Sequence, residues 1–84
     1  MISIILPVYN QIQYLKETLN SILTQSFCNW ECIIVDDGSS KETIQLLIEY
    51  CNIDDRIKFY NRPANRIKGA NSCRNYGYEK SRGE

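Results

Sequence analysis

The chain has 84 residues, 43% of them apolar, with ten basic and ten acidic side chains and no histidine. That length makes one domain or part of one, whose core is small for its surface. Zero formal net charge gives no bulk attraction to nucleic acid or to an anionic membrane, and the missing histidine excludes a Ser-His-Asp or Cys-His triad.

Ile2-Ser3-Ile4-Ile5-Leu6 is a short β-branched run ended by Pro7, and it reads as a buried parallel strand. Asn10 with Gln13 three residues on makes a capping-box pattern. Ile12, Leu15, Leu19, Ile22 and Leu23 follow at helical spacing, which predicts an amphipathic helix over 11–24. Residues 25–30 are the return loop, with Phe27 and Trp30 expected to cover the core edge. A second strand is expected over 31–35, closing at Asp36 and Asp37. Ser39 and Glu42 form another capping box, ahead of a helix with Ile44, Leu47, Ile48 and Cys51 on one face. Residues 52–55 are a polar turn, and 56–60 a third strand with Ile57 and Phe59 on one face. After a loop containing Pro63 and Gly69, residues 70–81 read as a helix whose Ala70, Cys73 and Gly77 form a small-residue face. Arg82-Gly83-Glu84 reads as the turn that leaves it.

The order is β-α-β-α-β-α. Strands separated by helices of this length imply a Rossmann-like α/β fold with a parallel sheet and right-handed crossovers. Ligands of such sheets bind outside the carboxyl ends of the strands. Two of those ends carry Leu6-Pro7-Val8-Tyr9-Asn10 and Val35-Asp36-Asp37-Gly38-Ser39-Ser40, so Pro7, Tyr9 and Asp37 can line one crevice. An aspartate there can accept hydrogen bonds from a base N–H or a ribose hydroxyl, or merely favour a helix N-terminus. The bases cluster late, at Arg56, Lys58, Arg62, Arg66, Lys68 and Arg74. Facing an acidic strand end, they would suit a ligand with phosphate and hydroxyl groups.

The cysteines, Cys28, Cys32, Cys51 and Cys73, include no CxxC pair, so reduced and mostly buried thiols are expected. The chain enters a strand at Ile2 without a basic leader, and no apolar run reaches the length of a membrane span. The expectation is therefore a cytoplasmic chain without a transmembrane segment, either free or peripheral to the inner face of the membrane.

Taken together, Ile-Ile-Leu-Pro-Val-Tyr-Asn, Leu19-x-Ser21-Ile22-Leu23-x-Gln25-Ser26-Phe27, Val35-Asp36-Asp37-Gly38-Ser39-Ser40 and Cys73-Arg74-Asn75-x-Gly77 with Gly83-Glu84 are specific. In this order they resemble the N-terminal half of the GT-A-fold glycosyltransferases of family 2, inverting enzymes that use nucleotide-sugar donors. The resemblance covers the whole chain. It implies that residues 1–84 are the nucleotide-sugar-binding half of a transferase domain, with a UDP-sugar or similar donor and a glycan or lipid acceptor. Carried over residue by residue, it puts Pro7 and Tyr9 against the nucleotide and Asp37 on the base. Asp36 shapes the turn beside it, while Lys68 and Arg74 lie in the segment that approaches the donor.

The chain departs from the family in places. Cys73 stands where members usually carry alanine, and Asn65-Arg66-Ile67-Lys68-Gly69 is looser than the usual Asn-x-Gly turn. The divalent metal of the family, magnesium or manganese, is held by an Asp-x-Asp motif after a fourth strand, and the resemblance puts both beyond Glu84. The resemblance therefore implies a truncated GT-A domain without its metal ligands and catalytic base, inactive by itself. The alternative is a non-catalytic fragment that binds nucleotide weakly. A receiver-type signalling domain is a more distant reading, since its acidic cluster would fall at Pro7-Val8-Tyr9-Asn10. The fourth strand would pair with the first, so residues 2–6 are expected to form an exposed apolar edge prone to self-association.

Overall fold

The computed structural model describes residues 2–26, 28–66 and 68–81. The expectations for Phe27 and for the closing turn at 82–84 lie outside them. Three strands and three helices alternate: β1 (Ile2–Val8), α1 (Ile12–Leu23), β2 (Trp30–Asp36), α2 (Lys41–Ile53), β3 (Ile57–Asn61) and α3 (Ala70–Lys80). All pairings are parallel and the sheet order is β1-β2-β3. This is the expected Rossmann-like α/β arrangement.

β2 is central, and every residue from Trp30 to Asp36 is buried. Its alternation sorts the core into two faces. Cys32 and Ile34 pack with Leu15, Leu19 and Ile22 of α1 and Leu47 and Tyr50 of α2. Ile33 and Val35 meet Cys73 of α3 on the other side. Gly77 makes that approach possible, because a Cβ there would sit 2.6 Å from Ile5 Cγ2 and 3.3 Å from Val35 Cγ2. The small-residue face expected of α3 thus packs as proposed at Cys73 and Gly77, while Ala70 stays exposed.

Several boundaries differ from expectation for physical reasons. β1 runs on through Pro7 to Val8. The Ile2 N–H donates to the Asn29 carbonyl at 3.0 Å and the Val8 carbonyl accepts from the Asp37 N–H at 2.8 Å. Even-numbered residues therefore face β2, and the Pro7 nitrogen points away from it on an edge strand, where no donor is needed. Trp30 opens β2 instead of lying in the loop before it. α2 places Ile44, Leu47 and Cys51 against the core as expected, but it also buries Thr43 and Tyr50 and leaves Ile48 exposed. Burial of Tyr50 is stabilised by its hydroxyl, which donates to Asn20 Oδ1 at 2.7 Å and so has a partner for its polar end. β1 is an edge strand as expected, with Ile2 exposed.

Neither capping box forms. The cap residue of α1 is Gln11, in a left-handed conformation with no side-chain cap, and that of α2 is Ser40, also without one. The Asn10 carboxamide is used elsewhere, as described below.

Candidate functional site

The carboxyl ends of β1 and β2 lie side by side, with Val8 opposite Asp36. Asp36 is 2% exposed, and its Oδ2 accepts the N–H groups of Gly38 at 3.0 Å and Ser39 at 2.9 Å. This fixes a tight turn in which Gly38 takes a φ of 97° that other residues rarely adopt. Asp36 therefore shapes the turn and does not line the crevice. Its Oδ1 is buried without a hydrogen-bond partner among the described residues.

Asp37 is also buried, but it points into the space between the loops. Its Oδ1 accepts from Arg62 Nε, and its Oδ2 accepts from the Gly69 N–H at 3.0 Å. The Arg62 guanidinium goes on to donate to the carbonyls of Pro63 and Arg66, and the Arg62 backbone N–H donates to the Asp36 carbonyl at 2.8 Å. One carboxylate thus organises the segment between β3 and α3 around itself. An ion pair this enclosed depends on hydrogen bonds at every remaining site to offset desolvation. Arg62 was legible only as one of six late bases, because no local spacing singles out a partner 25 residues away.

Pro7, Val8, Tyr9, Asp37, Ala70 and Cys73 line a crevice of about 70 Å³ at this point. Tyr9 stands half exposed at its mouth, and Lys68 Nζ lies 4.2 Å from the Tyr9 ring centroid, a cation–π contact. Pro7, Tyr9, Asp37 and Lys68 are therefore brought together. Arg74 is not among the lining residues: it is exposed on α3 and donates to Asn71 Oδ1 at 3.1 Å. Cys73 forms a wall of the crevice. Burial first, and then the Asp37 carboxylate, push its thiol up, so it is a neutral packing group. Burial likewise raises Cys51, and it pushes Cys32 up to about 12 with Cys51 nearby.

These carboxylates do not fit a divalent cation. No cluster of three metal-ligating side chains occurs among the described residues. Asp36 Oδ2 is saturated by two backbone N–H groups, and Asp37 already faces a guanidinium. The acidic pair Asp54-Asp55 lies at the other end of the sheet, before β3, where Asp54 pairs with Arg56. No helix among the described residues is long and apolar enough to cross a membrane.

The fold and the sequence both have relatives. An uncharacterized glycosyltransferase of Haemophilus influenzae is 40% identical over 84 residues, all of this chain and 33% of the relative. A Bacillus subtilis glycosyltransferase, TuaG, named for teichuronic acid biosynthesis, is 40% identical over 99% of this chain and 32% of its own length. The chain thus spans about a third of these curated relatives. The crystal structure of Staphylococcus aureus TarS 1-349 superposes with a TM-score of 0.85 at 32% identity, over 99% of this chain and 25% of that one. A mannosyltransferase from Pyrobaculum calidifontis, in complex with GDP-Man and Mn²⁺, shares the fold at a TM-score of 0.78 and 18% identity, over 96% of this chain and 24% of that one. The model of the glycosyl transferase family 2 matches residues 3–84. A match that omits only the first two residues, on a fold shared with solved glycosyltransferases, makes the chain a member of glycosyl transferase family 2.

Proposed function

We propose that the chain is the donor-binding part of an inverting glycosyltransferase, and that its strand-end crevice takes the nucleotide of a nucleotide sugar. The observation that carries this reading is Asp37, a buried carboxylate at the end of the central strand, held toward the crevice by Arg62 and the Gly69 N–H. Acceptors of this kind recognise a base N–H or a sugar hydroxyl, and strand ends of parallel sheets are where such ligands sit. Tyr9 offers a flat apolar face at the mouth, and Lys68 beside it is a point charge for phosphate. Arg74, one turn into α3, would act only on a part of the donor that extends beyond the crevice.

The crevice is small. Sites that enclose a whole ligand occupy roughly 300–1,000 Å³, so about 70 Å³ seats the edge of one ring and predicts weak binding by these residues alone. Transfer to a glycan or lipid acceptor is proposed for a longer protein like the relatives. A divalent metal would there draw on carboxylates other than Asp36 and Asp37, since Asp36 is buried within its turn and Asp37 faces the Arg62 guanidinium, which disfavours a cation. A cytoplasmic setting, peripheral to the inner face of the membrane, belongs to the same proposal. So does self-association through the open edge of β1, which sedimentation at rising concentration would reveal.

Titration calorimetry with UDP, GDP and CDP, with and without Mn²⁺, tests the reading. The expected result is weak binding of a nucleoside diphosphate that Mn²⁺ does not strengthen and that Asp37→Asn abolishes. Absence of binding by every nucleotide, or equal binding by Asp37→Asn, would overturn it.

A further inference from the structure

Asn10 and Gln11 are the two non-glycine residues with positive φ among the described residues, at 57° and 61°. They are consecutive and lie directly after Tyr9. Asparagine tolerates this region, but a run of two needs support from outside the loop. The support comes from the next strand end. The Asn10 N–H donates to Ser39 Oγ at 2.7 Å. Asn10 Oδ1 accepts the Ser40 N–H at 2.9 Å and the hydroxyl of the fully buried Thr43 at 3.4 Å.

The Asn10 carboxamide therefore caps α2, whose cap residue Ser40 makes no side-chain cap of its own. On the far side of this stitch, Asp36 Oδ2 holds the N–H groups of Gly38 and Ser39. The Asp36–Ser40 turn and the Tyr9–Gln11 loop are thus fixed to each other, and Tyr9 and Asp37, which line the same crevice, sit one on each.

We propose that Asn10 is a positioning residue: it clamps the β1–α1 loop to the start of α2 and so sets the spacing between the Tyr9 ring and the Asp37 carboxylate. The use of that spacing in binding rests on the donor-site reading, whereas the clamp itself does not. Loss of the Oδ1 acceptor frees the Ser40 amide and lets the Tyr9 loop leave its left-handed conformation, while the core on both sheet faces is untouched.

The test uses Asn10→Gly, Asn10→Asp and Ser39→Ala in the 84-residue chain. Amide hydrogen exchange at Ser40, the NMR signal of the Tyr9 ring and UDP affinity are read together. Glycine keeps the left-handed backbone without strain but lacks the acceptor. It is expected to expose the Ser40 amide, shift the Tyr9 ring signal and weaken UDP binding by about tenfold, the scale of one lost hydrogen bond. Asn10→Asp retains an acceptor and is expected to keep Ser40 protected; exposure of Ser40 in Asn10→Gly, which relieves the strain, is what a role in strain relief alone does not predict. Ser39→Ala removes the second half of the stitch, and should move the Tyr9 signal in the same direction as glycine does.

Unchanged Ser40 protection and an unchanged Tyr9 signal in Asn10→Gly would overturn the proposal. So would a freed Ser40 amide with wild-type UDP affinity in a chain that binds UDP. If the wild-type chain binds no nucleotide, the donor-site reading fails, and the exchange and ring signals alone decide whether Asn10 clamps the loops.

Discussion

Two aspartate–arginine pairs sit at opposite ends of the same sheet, and they do different work. Asp54 and Arg56, before β3, are two residues apart in sequence and partly exposed. The Arg56 guanidinium contacts Asp54 through Nε and Nη2, donates to the Cys28 carbonyl at 3.0 Å and covers the Trp30 ring at 3.9 Å from its centroid. That pair covers the Trp30 end of the core. Asp37 and Arg62 are 25 residues apart, more deeply buried, and border a crevice. A local pair forms whenever its turn forms. A distant buried pair exists only once β2, β3 and α3 have been assembled, so it reports on the site and not on a turn.

The largest break in this contrast is expected from Asp37→Ala, which leaves the Arg62 guanidinium buried without its partner. Such losses cost about 3–5 kcal/mol, against a total of roughly 4–12 kcal/mol for a domain of this size. Chemical denaturation should show the variant barely folded. The double variant Asp37→Ala/Arg62→Met should recover part of the loss, because no orphan charge remains. A double variant less stable than both single ones would show that the pair is ordinary packing.

Gly77→Ala should come next. Its methyl would meet Ile5 Cγ2 at 2.6 Å, pushing α3 and the crevice wall at Cys73 off β1. Overpacking of this kind costs about 1–3 kcal/mol, and a lowered midpoint of thermal unfolding would register it. A site that depends on long-range assembly should also bind nucleotide more weakly in this variant.

The smallest effect is expected from Asp54→Ala, since exposed pairs contribute little. Its signature is in acid. Hydrogen bonds from Arg56 hold the Asp54 carboxyl below its ordinary 3.8. The unfolded chain therefore takes up the proton first as pH falls. The stabilisation is complete above about pH 4 and is lost as pH falls through the lowered folded value. Asp54→Ala should flatten that acid limb in a series of melts while leaving nucleotide binding unchanged. A change in binding would place the two ends of the sheet in one cooperative unit.

What could be read from the chain followed the range over which each signal acts. The apolar spacing of Leu15, Leu19 and Ile22, and the continuous run from Cys32 to Val35, are set by backbone geometry within a few residues. They placed each strand and helix to within a residue or two at most ends. The carboxylates at the end of β2, and the neighbouring position of Pro7 and Tyr9, followed from the rule for parallel sheets. On α2, Ile44, Leu47 and Cys51 face the core as expected and only Ile48 was misplaced, because Ile48 and Tyr50 differ less in hydrophobicity than in whether a partner such as Asn20 waits for the hydroxyl.

The sequence by itself determined the order β-α-β-α-β-α, the family resemblance and the presence of acids at a strand end, since these depend on local periodicity and contiguous motifs. The tertiary structure alone decided what each polar side chain does. Asn10 caps α2 and not its own helix, Asp36 is spent on a turn, and Asp37 is held by Arg62. Partners 25 to 33 residues apart are chosen by which strand ends the parallel sheet brings together, and that is settled only when the helices pack.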